Sequence, residues 1–208
     1  MNLKTPLSKE IVNTLKIGDI VYLDGIIHTG RDEAHITVLE YAHNKINNNN
    51  NNNNNKIKEI EEVINKLKNG VIYHAGPIMK KVNNKWQCVA IGPTTSARMN
   101  NLEEEFIKIT NISAIVGKGG MDDNLLSIFS NNKTVYLSAP GGCAALLANC
   151  IKSVKTVYCE DLGMPESFWE LEVENFGPLV VSMDSNGNSI YKEVNKTVKN
   201  NLKMLLCE

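Results

Sequence analysis

The sequence predicts an α/β fold with a partly parallel central sheet and β-hairpins in its N- and C-terminal parts, and three observations carry that expectation. Over 102–158, short β-branched runs alternate with amphipathic stretches across short links, the pattern of parallel strands joined by helical crossovers. The two ends of the chain instead hold strand-like runs around Asp24-Gly25 and Asn186-Gly187, dipeptides that favour hairpin turns. With 208 residues and 42% hydrophobic content the chain can bury one sizeable core, so a single domain over 1–208 is expected.

Each element has its own local reason. Residues 9–16 place Ile11, Val12 and Leu15 at helical spacing behind Ser8, a candidate cap. Residues 19–23 and 26–29 flank Asp24-Gly25 and read as a hairpin that delivers Gly30 and Arg31 to its far end. A helix over 31–45 comes next, with Ala34, Val38, Tyr41 and Ala42 on one side. It runs into nine consecutive asparagines at 47–55. Such a run buries too little apolar surface to offset the entropy of ordering, so it reads as a disordered insertion.

Helical spacing resumes over 57–67 and ends at Asn69-Gly70, a C-cap pair. Short strands at 71–75 and 86–91 lead into Gly76-Pro77 and Gly92-Pro93. Then come helix 102–109, strand 113–116, helix 123–129, strand 134–138, helix 144–151 and strand 154–158. In the last quarter, strands 169–173 and 179–183 surround Phe176-Gly177-Pro178, and Asn186-Gly187 turns into a further strand at Ser189-Ile190-Tyr191.

Composition excludes several classes of function. The net charge is -1 and the lysines are spread along the chain, so there is no bulk attraction to nucleic acid or to an anionic membrane. Any anion bound here is small and locally held. No apolar run approaches the roughly 20 residues of a membrane span. The five cysteines, Cys88, Cys143, Cys150, Cys159 and Cys207, form neither a CxxC pair nor a zinc pattern, and read as reduced thiols. Cys143 and Cys150 read as small buried residues rather than metal ligands. Residues 1–19 contain Glu10 and Asp19, no Arg and no long apolar stretch, so neither a secretory nor a mitochondrial leader is expected and the cytoplasm is the expected location.

Chemistry concentrates between Gly92 and Met121. Gly92-Pro93-Thr94-Thr95-Ser96-Ala97-Arg98-Met99 lies between a strand and a helix, where open α/β sheets bind ligands. A glycine- and hydroxyl-rich helix start beside a guanidinium suits a carboxylate or phosphate. Taken singly, Thr94, Thr95 and Ser96 read first as helix caps. Gly117-Lys118-Gly119-Gly120-Met121 has the same strand-to-helix placement, so the two segments could converge, but it lacks the spacing and the hydroxyl residue of a nucleotide phosphate loop. Arg31 and His35 share a helical face, either as part of a site or as a solvated helix start. His74, before Ala75-Gly76-Pro77, is either a site residue or a hydrogen-bonded strand end.

Thr29-Gly30-Arg31-Asp32-Glu33-Ala34-His35, Tyr73-His74-Ala75-Gly76-Pro77 and the two segments above together resemble the C-terminal domain, or separate beta subunit, of iron-sulfur class I fumarate hydratases and L(+)-tartrate dehydratases. Leu162-Gly163-Met164-Pro165-Glu166-Ser167-Phe168-Trp169 and Phe176-Gly177-Pro178-Leu179-Val180-Val181-Ser182-Met183-Asp184 resemble the two-subunit members especially. The resemblance implies a swivelling β/β/α domain forming one wall of a hydro-lyase site. It implies that Arg31, Arg98 and Lys118 hold the carboxylates of a C4 dicarboxylate and that Thr94 acts in proton transfer. His35, His74, Thr95, Ser96 and Gly119 would stand behind them.

The same resemblance implies a 4Fe-4S cluster held by three cysteines of an alpha subunit, in a heterodimer or heterotetramer, with no metal bound by this chain. Alone, the polypeptide is then expected to be catalytically silent. Two departures stand out: Ile36-Thr37, where the family often carries basic residues, and the asparagine run. The competing reading is a non-catalytic dicarboxylate-binding or regulatory module without a partner.

Overall fold

Parallel strands require crossover connections, and the middle of the chain supplies them as helices. The computed structural model describes residues 1–46 and 54–206. In chain order the elements are β1 (Asn2–Lys4), α1 (Lys9–Thr14), β2 (Ile20–Thr29), α2 (Asp32–Ile46), α3 (Asn54–Leu67) and β3 (Val71–Tyr73). A hairpin of β4 (Ile78–Val82) and β5 (Lys85–Ala90) comes next, then α4 (Asn100–Thr110), β6 (Ala114–Gly117), α5 (Leu126–Asn132) and β7 (Val135–Ser138). The last are α6 (Ala144–Asn149), β8 (Ile151–Tyr158), β9 (Phe168–Met183) and α7 (Ile190–Leu205).

β2, β3, β6 and β7 are neighbours in that order and pair in parallel. β9 runs antiparallel to β7 on one side of this set and to β2 on the other, so the sheet closes on itself. β1 pairs in parallel with the first half of β2, and β8 pairs with the first half of β9. The expected partly parallel central sheet is therefore present. It is mixed rather than open.

Burial on both faces explains why the parallel strands read as unbroken apolar runs. In β3, Val71 and Tyr73 face one core while Ile72 faces the other; Ala114 and Val116 oppose Ile115 in β6, and Val135 and Leu137 oppose Tyr136 in β7. The first core also holds Leu23, Ile27, Trp169, Leu171 and Phe176 from β2 and β9. The second lies under the helices, where Ala34 and Val38 of α2, Val63 and Leu67 of α3, Phe106 and Ile107 of α4 and Phe129 of α5 meet Ile72 and Ile115.

Three sequence expectations are overturned. Asp24-Gly25 does not turn the chain: β2 is one continuous strand of 10 residues with irregular register at that point. Both halves pair with β9, Gly25 adopts φ +109, and a Cβ there would sit 2.6 Å from Thr5 Oγ1. A hairpin of 19–23 on 26–29 would forfeit that shared partner. For the same reason 169–173 and 179–183 are not two strands around a turn but parts of β9, 16 residues long, which pairs with β2 over 170–180 and with β7 over 180–183.

Asn186-Gly187 does turn, with Gly187 at φ +87 and the Asp184 carboxylate accepting from the Asn186 and Asn188 amides. The element after it is helix α7, not a strand, because Ser189 accepts from the Lys192 amide as an N-cap. The β4–β5 hairpin was unforeseen; Asn83 and Asn84 turn it, both at positive φ. Of the asparagine run read as a disordered insertion, residues 47–53 lie outside the described residues, while Asn54 and Asn55 open α3.

Candidate anion site at the strand ends

The carboxyl ends of β2, β3 and β6 deliver Gly30-Arg31, His74-Ala75 and Lys118-Gly119 to one edge of the sheet. The segment after β5 is threaded between the last two. Pro93 bridges Ala75, the Thr94 amide donates to the His74 carbonyl at 2.7 Å, and the Lys118 amide donates to the Thr94 carbonyl at 3.2 Å. The Ser96 amide then donates to the Lys118 carbonyl at 3.1 Å. Thr94 and Lys118, far apart in sequence, are thus locked together by their backbones.

The hydroxyl residues divide their work. Thr95 stands at the start of a 3-10 turn over Ser96–Met99 and makes no side-chain cap bond, so the capping alternative does not describe it. Ser96 is buried, 2.9 Å from His74 Nδ1, and accepts from the Tyr136 hydroxyl at 2.9 Å. Gly117 makes room for it, since a Cβ at 117 would collide with Ser96 Oγ. Arg98, expected one turn into a helix, lies in the 3-10 turn that precedes α4.

The two guanidinium groups are held by protein carboxylates. Arg31 Nη2 lies 3.1 Å from Glu166 Oε1, and the other oxygen of Glu166 accepts from the Glu33 amide. A Cβ on Gly76 would lie 2.6 Å from Arg31 Nη1, so the glycine allows the guanidinium to lie against the chain. Arg98 grips Asp32, the residue after Arg31, with Nε at 3.2 Å and Nη2 at 2.7 Å. Lys118 lines an open depression of about 700 Å³ with Thr95, Gly119, Pro140 and Tyr191. Each guanidinium is thus paired with a carboxylate, whereas among the described residues Lys118 is in no ion pair.

Behind these groups lies a fully buried cluster. His35 and His74 each place Nε2 3.5 Å from Glu103 Oε2, and all three side chains are 0% exposed. His35 Nδ1 is 2.8 Å from the Arg31 carbonyl, and its ring stacks on Phe106 with centroids 4.0 Å apart. Burial lowers the His74 pKa to about 4 despite the attraction of Glu103. Burial alone would raise the Glu103 carboxyl, yet the facing histidines hold it below its ordinary value. Glu103 was missed in the sequence. Its signal was register: it falls on the inward stripe of α4 with Met99, Phe106, Ile107 and Thr110. Asp32, Glu166 and Tyr136 were missed as partners because nothing local pairs them.

A family model described as fumarase C-terminus matches residues 1–194. The chain belongs to this family. It is 59% identical over 201 residues to a Methanocaldococcus jannaschii protein provisionally named L(+)-tartrate dehydratase subunit beta, covering 96% of this chain and 95% of that one. It is 37% identical over 194 residues to the L(+)-tartrate dehydratase subunit beta of Escherichia coli K12, covering 93% of this chain and 88% of that one. It is 35% identical over 198 residues to a Geobacillus stearothermophilus protein provisionally named class I fumarate hydratase, spanning 34% of that longer chain.

Among the described residues the cysteines do not gather at cluster-ligand spacing. Cys143 Sγ donates to the Pro140 carbonyl and Cys150 Sγ contacts the Leu146 and Asn175 carbonyls. Both are half-buried, not buried as expected, because the short α6 turns only Leu147 fully inward. Among the described residues the group with metal-ligand spacing is His35, His74 and Glu103, which contains no thiol. Cys207 lies outside the described residues. Among the described residues no helix is long and apolar enough to cross a membrane.

Proposed function

We propose that this chain is the beta subunit of a heteromeric hydro-lyase that adds or removes water on a C4 dicarboxylate. The reading is carried by one observation: Arg31, Thr94, Arg98 and Lys118, on three separate segments, are tied to one edge of the sheet by backbone threading and by the Arg98–Asp32 pair. Membership of the fumarase C-terminus family and the subunit names of the relatives support it.

In this reading the guanidinium groups and Lys118 bind the two substrate carboxylates, and a fixed cation beside a carboxylate stabilises the charge that develops at the adjacent carbon. A dianion approaching this edge competes with Glu166 for Arg31 and with Asp32 for Arg98. With both guanidinium groups already paired to protein carboxylates, this edge alone offers a dianion little uncompensated positive charge, consistent with a site completed by a second subunit. Thr94 is the proposed proton-transfer group, its position set by its backbone bonds to His74 and Lys118. A 4Fe-4S cluster, as the family resemblance implies, belongs on the alpha subunit, where it would supply a Lewis acid for the substrate hydroxyl.

Anaerobic co-purification with a cluster-bearing alpha chain, followed by assays on malate and both tartrate enantiomers, tests the proposal. Turnover requires both chains and falls by about 100-fold or more in kcat/KM in Arg98→Ala, as expected when a charge-assisted contact to substrate is lost. A stable complex that turns over none of these acids overturns the hydro-lyase reading and leaves a dicarboxylate-binding module.

A further inference from the structure

The His35–Glu103–His74 cluster lies outside the groups proposed to touch substrate, yet both of its ends reach them. The Arg31 carbonyl can only accept, so His35 Nδ1 carries a proton and donates to it at 2.8 Å. His35 Nε2 then meets Glu103 either as a bare lone pair or as a second N–H. A lone pair aimed at a buried carboxylate is repulsive, and the Glu103 side chain, 0% exposed, is closed to bulk solvent. On the other side Tyr136 donates to Ser96 Oγ, which leaves the Ser96 proton for His74 Nδ1 and places the His74 proton on Nε2, facing Glu103.

With these protons in place the carboxylate, one imidazolium and one neutral imidazole face one another at ion-pair distance. A metal ion would satisfy the same three side chains, whose ligand atoms lie within 4.8 Å of one another. Zinc takes four ligands, or three with a water in an open position. This cluster offers three and is closed to solvent.

We propose that His35, Glu103 and His74 share protons as one buried bridge that holds Arg31 and Ser96, and with them the anion site, in position. The bridge joins three elements beneath the site: the start of α2, the end of β3 and α4. Ser96 then transmits it to the Thr94–Lys118 backbone lock, and Gly117 leaves the space that lets Ser96 do so. Among the described residues Asp32 from α2 and Tyr136 from β7 also face the cluster; the negative charge of Asp32 acts on His74, where the larger effect of burial keeps the ring neutral. These are positioning residues, and their kinetic effect rests on the dicarboxylate reading above.

The test has two arms. In the first, the full chain carrying nitrogen-15 histidine is studied by NMR at neutral pH, with signals of the four histidines assigned by His→Gln variants. His35 is expected to be doubly protonated and His74 to be the neutral Nε2–H tautomer, and Glu103→Gln is expected to strip the second proton from His35. Two neutral rings in the wild type, or one equivalent of tightly held divalent metal by elemental analysis, overturns the bridge.

In the second arm, Glu103→Gln in the assembled enzyme raises the KM for malate or tartrate about 10- to 100-fold, as slight misplacement of a binding group does, with little change in kcat. Glu103→Asp restores part of the loss. An unchanged KM in a variant that has lost the imidazolium overturns the positioning role. A wild-type complex inert on all of these acids sinks the functional reading instead, and the first arm still decides the bridge.

Discussion

Gly117 shows how much a single residue can depend on its neighbours. Its missing side chain is where Ser96 Oγ sits, close to the Tyr136 hydroxyl. Gly117→Ala is expected to destabilise the fold by about 1–3 kcal/mol through overpacking, measured by chemical denaturation, and to weaken substrate binding more than its stability loss explains. Glu170 makes a second case. His28 and Lys66, the latter at 2.7 Å, hold its carboxyl down to about 2 against the opposing effect of burial. Since the folded value lies below the ordinary 4.5, the stabilisation is complete above about 4.5 and is lost as pH falls through about 2. Unfolding curves of Glu170→Gln should therefore converge on the wild type in acid and fall below it near neutrality by on the order of 2 kcal/mol.

At the scale of elements, β9 and α7 are opposites. β9 buries Phe168, Trp169, Leu171, Phe176, Leu179 and Val181 and pairs with three other strands. α7 has no fully buried residue; Val194, Val198 and Leu202 recur four apart on it and are all about half exposed. Its attachment is Tyr191, whose hydroxyl meets Ser138 at 2.6 Å and whose ring covers Gly120. Removing residues 195–208 is accordingly expected to shift Tm by no more than about 2 °C, read by scanning calorimetry. A larger loss would show that the distal helix packs where this structure leaves it exposed.

For the whole molecule, function and stability are expected to separate at the proposed anion site. The Arg98–Asp32 pair is partly exposed, and such pairs contribute on the order of 0.5 kcal/mol to stability. Arg98→Ala is thus expected to fold normally, with a melting curve close to the wild type, while its assembled complex loses turnover. The closed sheet makes this separation possible: the site stands on strand ends whose position is set by two cores that Arg98 does not enter.

Much of the fold was legible because its causes are local. Ser8 caps α1 as read, the 3.6-residue periodicity of α2, α3 and α4 is intrinsic to each, and the apolar runs of β3, β6 and β7 reflect burial on both faces. The glycine- and hydroxyl-rich segments were recognisable as motifs, which placed the chain in its family. Pairings between distant segments were not legible. Asp24-Gly25 has the local chemistry of a hairpin turn, yet a dipeptide's preference is outweighed by the ladder to β9, in which Ile20 meets Val180 and His28 meets Glu170. Glu103 likewise reads as an ordinary helix acid until tertiary packing sets it between His35 and His74. Sequence alone determined most of the element types, the family and the candidate residues, since short-range sterics and periodicity act along the chain. Tertiary structure alone decided the sheet closure, the carboxylate partners of Arg31 and Arg98, and the buried cluster of His35, Glu103 and His74, because those energies exist only once distant segments meet.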